Sequence, residues 1–209
     1  MAEPDDTPAR IIAAAERLFT EGGEEATSIR AITRQAGVNV AAVHYHFGGR
    51  DGLLRAVLDR RIGPLNAQRL RLLDEAATRG EPAAEMLLTA FLRPDLELIA
   101  AMRGTGQVRF CRFMGRAYLQ PGDAVAAFMD QQFQPVGARL FPLLERALPD
   151  VDPTELRIRM RLVAAVVTAL FATAPEPGEP GPLGTNDIDE QLARLVAFLA
   201  PGLAAHTPR

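Results

Sequence analysis

The 209-residue sequence has no lysine, no tryptophan and a single cysteine, Cys111. One cysteine excludes an intramolecular disulfide and any cysteine-based zinc site. All 23 basic residues are arginine. They occur in every segment, so the missing lysine is read as genomic base composition rather than function. Long hydrophobic runs are also absent. The longest, Leu162 to Ala174, falls short of the ~20 residues needed to cross a bilayer. Met1 to Arg10 is acidic and contains proline, unlike a secretory leader. No nucleophile–base constellation, metal-ligand cluster or glycine-rich phosphate loop is present in the sequence. No catalytic residue, cofactor or metal site is therefore expected, and an enzyme is not. What remains is 48% hydrophobic residues, enough for a sizeable core, in a chain expected to be soluble and cytoplasmic, with no membrane partner.

A net charge of −3 argues at first against nucleic acid, but its distribution matters more. Met1 to Ala26 carries two arginines against seven acids, whereas Thr27 to Ile62 carries six arginines against two. From Gly63 to Arg209 there are fifteen arginines and seventeen acids. A short basic segment is embedded in an acidic protein.

Helical periodicity dominates, with no convincing alternating strand. A first helix is expected from about Pro8 to Glu21, with Ile11, Ala15, Leu18 and Phe19 inward, Thr7 as cap and Gly22-Gly23 as stop. A short second one starts at Thr27 or Ser28, buries Ile29 and Ile32, and ends at Gly37. A third spans Val40 to Phe47, capped by Asn39, with Val43 and Phe47 one turn apart inside. A longer helix then runs from Arg50-Asp51 to about Arg79, interrupted or bent at Gly63-Pro64. Further helices are expected at Pro82–Arg103, Gln107–Leu119, Asp123–Leu148, Pro153–Ala174 and Asp187–Leu199. Pro94, Pro135 and Pro142 should kink or break theirs, because each removes an intrahelical hydrogen bond. PEPGEPGPLG, Pro175 to Gly184, reads as a linker.

Two short helices joined by Gly37-Val38-Asn39 make a helix-turn-helix, braced by the first helix and coincident with the basic segment. The stretch TSIRAITRQAGVNVAAVHYHFGGRDGLL resembles the DNA-binding segment of the TetR-family bacterial transcriptional regulators. The match rests on Thr27, Ser28, Ile32, Ala36, Gly37, Val38, Asn39, Val43, His46, Phe47, Arg50, Asp51 and Leu53 or Leu54, and it covers about the first sixty residues. Four positions depart from the pattern. Thr33 stands where alanine is usual, Ala42 where threonine or serine is common, Val40 where lysine or another polar residue is frequent, and His44 where tyrosine or asparagine is. The scaffold is kept, while the surface that would read bases is unusually apolar.

His44 and His46 cannot share one metal ion on a helix, since residues i and i+2 point ~200° apart. Either they are half-buried helix residues, or they contact DNA. The resemblance favours phosphate or base contacts for His44, Tyr45 and His46. The third helix is expected in the major groove, which accepts one helix. Thr27 and Ser28 would present hydroxyl and backbone N–H groups to a phosphate, and Arg50 would take another. Asn39 and His44 are the candidates for polar base contacts. Val40, Ala41 and Ala42, without donors, are candidates for thymine methyls and close backbone approach. Arg30 and Arg34 are either phosphate contacts or solvated surface.

In the remainder, Leu156, Met160, Val163, Val167, Leu170 and Ala174 recur at helical spacing, as do Ile188, Leu192, Leu195 and Leu199. Such helices bury one face inside the domain and another against a second copy, or serve a purely internal core. The resemblance implies a homodimer through the last two long helices. Six of the ten phenylalanines lie between Phe91 and Phe141. They fill the core or, as the resemblance implies, surround an effector pocket. Phe91, Phe110, Phe113, Phe128 and Phe133 are the candidate lining, for a small apolar or amphipathic molecule. Arg109, Arg112, Arg116 or Gln132 are candidate polar anchors. Cys111 is either a sensor or a small buried apolar residue.

The expected protein is all-α. A three-helix DNA-binding domain occupies 1–52, with the helix-turn-helix at approximately 28–47. A larger helical effector-binding and dimerisation domain occupies 53–209. Its expected function is that of a ligand-responsive transcriptional regulator, a repressor that binds a palindromic double-stranded DNA operator as a homodimer. The alternative is a helical adaptor with a degenerate helix-turn-helix.

Overall fold

The computed structural model describes residues 6–22, 27–119 and 123–205. Among them the regular structure is entirely helical: α1 (Thr7–Gly22), α2 (Ile29–Ala36), α3 (Val40–Phe47), α4 (Arg50–Thr78), α5 (Ala84–Gly104), α6 (Val108–Leu119), α7 (Asp123–Ala147), α8 (Pro153–Ala172) and α9 (Ile188–Ala204). None is long and apolar enough to cross a membrane.

The first three helices pack through the apolar positions that their spacing singles out. Ile11, Ala15 and Phe19 of α1, Ile32 of α2 and Val43 of α3 are buried in one continuous core that extends to Leu203. α1 begins at Thr7 itself, and its first turn closes when the Arg10 amide donates to the Asp6 carbonyl at 3.0 Å. α4 runs on from this head without a break. Near its start it packs on α3, and further along on α5 and α7. Arg61 pairs with Glu16 of α1 at 3.3 Å, and Asn66 donates to the Gln132 carbonyl of α7 at 2.8 Å.

Of the kinks or breaks expected at the prolines, no break occurs. Pro64 lies inside α4, Pro94 inside α5, Pro135 and Pro142 inside α7, and none of them ends its helix. A proline removes one backbone donor, but burial of the flanking apolar residues outweighs that local loss when a long helix is packed on several neighbours. α9 also continues through Pro201 and ends five residues beyond the expected Leu199. Its last carbonyls have a partner from another helix: Arg159 of α8, itself buried, donates to the Leu203 carbonyl at 2.8 Å and the Ala205 carbonyl at 2.6 Å.

The two apolar rows noted in α8 and α9 turn inward. Leu156, Met160, Val163, Val167, Leu170, Leu192, Leu195 and Leu199 are all buried within the chain, and Ile188 packs on that core. A second row, offset around α8, faces out. Ile158, Leu162, Ala165 and Ala169 are exposed at the same 4-3-4 spacing, and on α9 Phe198 is 76% exposed. The linker after α8 is held from α5 and α6. Arg103 donates to the Pro175 carbonyl at 3.1 Å and the Glu179 carbonyl at 2.6 Å, and Arg112 donates to the Ala174 carbonyl at 2.7 Å.

Candidate functional site

The turn between α2 and α3 is built from backbone requirements. Ser28 caps α2, its Oγ accepting from the Ala31 amide at 3.2 Å. Gly37 ends that helix at φ 66°, a left-handed conformation that a β-carbon disfavours. Arg10 reaches across from α1 and donates to the carbonyls of Ala36 at 2.5 Å and Gly37 at 3.3 Å. These are carbonyls that a helix end leaves without intrahelical partners, so the arginine ties the turn to α1. Asn39 then caps α3, its Oδ1 accepting from the Ala42 amide at 2.9 Å. At the far end of α3 the entry to α4 is pressed on the chain before it. A β-carbon on Gly52 would lie 1.7 Å from the Phe47 carbonyl oxygen, so only glycine fits.

These constraints give α3 two faces. Val43 is fully buried, while Ala42, His46 and Phe47 are half-buried and Ala42 and Phe47 pack on the core. Outward, Val40 and His44 form one i,i+4 row, and Ala41 and Tyr45 a second beside it. Tyr45 is 85% exposed, its ring edge-on to His46 with centroids 4.9 Å apart. The His44 ring lies beside Gly49, where a β-carbon would come within 3.8 Å of its Nδ1. Arg30 and Arg34 on α2 and Arg50 at the start of α4 are also exposed. No group of three or more potential metal ligands occurs among the described residues.

The expected contact set is thus brought together with three adjustments. Thr27 is buried, at 4% exposure, and cannot offer its hydroxyl to an outside phosphate as Ser28 can. Its carbonyl instead accepts from Arg50 Nη1 at 2.7 Å, so Arg50 braces the start of α2 as well as lying at the surface. Ala42 turns towards the core, leaving Val40 and Ala41 as the outward apolar pair. Arg10 was not among the expected residues. Its signal was slight, one of two arginines in an amphipathic first helix.

A second candidate site is a cavity of about 290 Å³ among α4, α5, α6, α7 and α8. Phe91, Met129, Phe133, Val167 and Phe171 make most of its wall. Hollows of about 380 and 340 Å³ also lie along the groove between α4 and α5. Their walls carry Glu75, Arg79, Glu85 and Arg93 in one, and Arg60, Arg61 and Glu97 in the other, so they resemble solvated surface more than an apolar binding site. Of the five phenylalanines expected around a ligand, Phe91 and Phe133 line this five-helix cavity. Phe128 is half-buried against the core outside it. Phe110 and Phe113 lie elsewhere, fully buried where α6 meets the head, with Phe113 stacked on Phe19 at 4.7 Å between centroids.

The polar anchors also differ from those expected. Arg109 donates to the Glu21 carbonyl of α1 at 3.0 Å, Arg112 holds the linker, Arg116 is exposed and Gln132 donates to Asp59 at 3.0 Å. The cavity's polar end is instead Arg69, Asp95 and Tyr118. Arg69 is 1% exposed and donates through Nη2 to Asp95 Oδ2 at 2.5 Å, through Nη1 to Asn66 at 2.5 Å, and through Nε to the Phe91 carbonyl at 2.9 Å. Desolvation raises the Asp95 carboxyl above the usual carboxylate range, against the opposing pull of Arg69. Burial likewise pushes the Cys111 thiol up to about 12, leaving it a protonated, unreactive core group.

Residues 11–57 match the family described as bacterial regulatory proteins, tetR family. Residues 89–202 match the tetracyclin repressor-like C-terminal domain. The HTH-type transcriptional regulator SrpR of Pseudomonas putida is 42% identical over 64 residues, which are 31% of this chain and 30% of SrpR. The HTH-type transcriptional dual regulator CecR of Shigella flexneri is 30% identical over 139 residues, 65% of this chain and 61% of CecR. These matches therefore span less than two thirds of either relative. A transcriptional regulator from Rhodococcus sp. Rha1, whose crystal structure is known, superposes with a TM-score of 0.65 at 21% identity, over 96% of this chain and 99% of that one, and so has the same fold.

Proposed function

Since this chain belongs to the TetR family of bacterial regulatory proteins, we propose that it is a sequence-specific transcriptional repressor, without catalytic activity, that acts in the cytoplasm. It binds a palindromic double-stranded DNA operator as a homodimer and leaves it when a small apolar or amphipathic molecule binds. The observation that carries this reading is the outward double row of α3, Val40 with His44 and Ala41 with Tyr45, with exposed arginines on the neighbouring helices and a turn held by Gly37 and Arg10. A helix of that width enters the major groove, where His44 and the Asn39 amide supply polar base contacts and Val40 and Ala41 supply apolar ones. Ser28, Tyr45, His46 and Arg50 hold the phosphates, which fix register. The DNA-binding unit is taken as 1–52 and the effector and dimerisation unit as 53–209, joined through α4.

The dimer reading rests on the second row of α8 and on Phe198, an exposed apolar surface on two adjacent helices of the kind that marks an association site. A two-fold axis through it would present two α3 helices to successive major grooves, about 34–36 Å apart. The effector reading rests on the five-helix cavity. A ligand changes operator affinity only if it binds one arrangement of the heads better than another, and α6 connects the two sites. Tyr118 lines the cavity and Phe113 on the same helix stacks on α1.

The test is to select genomic DNA fragments with the purified protein and titrate the enriched sequence across salt concentrations. A palindromic site bound with steep salt dependence is expected. Retention of no fragment above random duplex would remove the proposal.

A further inference from the structure

The chemistry of the effector can be narrowed from the cavity wall, on the reading that this cavity is the effector site. The wall is largely apolar, with Asp130 and Thr168 as isolated polar members and a cluster of polar groups where Arg69, Asp95 and Tyr118 meet. There Asp95, 5% exposed, gives one oxygen, Oδ2, to Arg69. All three guanidinium nitrogens of Arg69 already donate, and its two aromatic neighbours Phe91 and Phe133 have ring centroids 4.5 and 5.5 Å from its central carbon. The second Asp95 oxygen and the Tyr118 hydroxyl make no hydrogen bond among the described residues, and Tyr118 is half-buried on the cavity wall, so both are available to an occupant. Burial first, and the charge of Asp95 second, raise the Tyr118 phenol above its ordinary range, so it keeps its proton. The closed end thus offers one unused acceptor and one unused O–H on the same wall.

We propose that the cavity selects a neutral apolar molecule bearing a hydroxyl, alcohol or phenol, whose O–H donates to Asp95 while its oxygen accepts from Tyr118. A single hydroxyl satisfies both groups at once, because it is donor and acceptor together. An ionised carboxylate has no proton for Asp95 and sets a further negative charge on a wall that already carries Asp95 and Asp130, with only two of the five Arg69 N–H bonds left to meet it. A protonated amine serves Asp95 but cannot accept from Tyr118. A bare hydrocarbon leaves both groups unpaired, and a site built to hydrogen-bond a hydroxyl discriminates strongly against the analogue that lacks it. The volume is roughly twice the ~150 Å³ that accommodates benzene, so the occupant has about twelve non-hydrogen atoms.

Naphthalene, 2-naphthol and 2-naphthoate have similar bodies and differ in the polar group, and calorimetric titration of each into the full chain at pH 7 tests the proposal. The expected order is 2-naphthol roughly tenfold or more tighter than naphthalene, with 2-naphthoate weaker than 2-naphthol. Tyr118→Phe removes only an oxygen without a partner, so the fold is kept, as far-ultraviolet circular dichroism would register. It should weaken 2-naphthol by about tenfold and leave naphthalene unchanged. If 2-naphthoate equals or exceeds 2-naphthol, or if Tyr118→Phe preserves the preference, the hydroxyl proposal is overturned while the cavity remains an effector site. The wild-type ranking decides without any variant. Binding of none of the three would overturn the effector reading of the cavity, and this proposal with it.

Discussion

Phe19 of α1 lies nearly parallel on Phe113 of α6, with ring centroids 4.7 Å apart and planes 18° from parallel. Around this stack Arg109 donates to the Glu21 carbonyl, and the Arg61 guanidinium lies 5.9 Å from the ring centroid of Phe110. The head is therefore joined to the larger helical body through α6 as well as through the continuous α4. Close-packed interiors shift between discrete arrangements rather than deforming continuously, so a displacement of α6 at Tyr118 would be felt at Phe19.

Phe113→Leu should lower the unfolding free energy by roughly 1–2 kcal/mol, through lost stacking and a small residual void. Its sharper signature is in cooperativity. Calorimetry should resolve two transitions where the wild type has one, as the head loses its second attachment. A single transition shifted without splitting would mean that α4 alone couples the two.

Arg10→Ala removes the donor to the Ala36 and Gly37 carbonyls. A charge-assisted bond to a partly buried carbonyl makes the expected loss about 1–2 kcal/mol by urea unfolding. Operator affinity should also fall, although Arg10 is expected to touch no DNA. Unchanged affinity and stability together would show that the glycine turn holds without the arginine.

The two histidines and Arg50 should fail differently as alanine variants. His44→Ala should cost roughly 1–3 kcal/mol on the best operator and flatten preference at one base pair. Arg50→Ala should weaken all sequences alike and lower the salt slope by about 1. It should also destabilise the head, since Nη1 holds the Thr27 carbonyl. His46→Ala should weaken binding to all sequences alike, as expected of a phosphate contact. Titrations over operator mutants at several salt concentrations separate the three. Unaltered binding in both histidine variants would reduce them to residues that pack a short helix.

Phe198→Glu places a charge in the exposed row of α9. Sedimentation at micromolar concentration should then report a monomer where the wild type is a dimer, with operator affinity lost at dilute protein. A wild type that sediments as a strict monomer would sink the dimer proposal outright.

Asp152 caps α8, its carboxylate accepting from the Thr154 amide at 2.8 Å and the Glu155 amide at 3.3 Å, and these bonds hold its pKa below the usual carboxylate range. A depressed folded-state pKa contributes stability above the unfolded value, and that contribution is lost as pH falls through the folded one. Asp152→Asn keeps the cap without a titrating group. The acid limb of thermal stability should therefore be flatter in the variant below about pH 4, and an unchanged limb would assign the acid sensitivity to other carboxylates.

The helices and the head were legible in the sequence because their signals are local. Capping by Ser28 and Asn39, the left-handed Gly37, and the spacing of Ile11, Ala15, Phe19, Ile32 and Val43 each act within a few residues, and the structure follows them. Prolines 64, 94, 135 and 142 carried an equally local signal for a kink or a break, and no break occurs, because burial along a whole helix outweighs one missing hydrogen bond. Periodicity also could not say which way a row faces. Leu156, Met160 and Val163 shared their spacing with Ile158, Leu162 and Ala165, and only packing turned the first set inward and left the second outside. The cavity was least legible. Arg69, Asp95 and Tyr118 lie on three helices and have no shared motif, and their meeting depends on how α4, α5 and α6 cross. Sequence by itself determined which segments are helical and where the DNA-binding turn lies, since propensity, capping and period are properties of short stretches. Tertiary structure alone decided which apolar row is left exposed and which polar groups close the cavity, since burial is a property of the assembled chain.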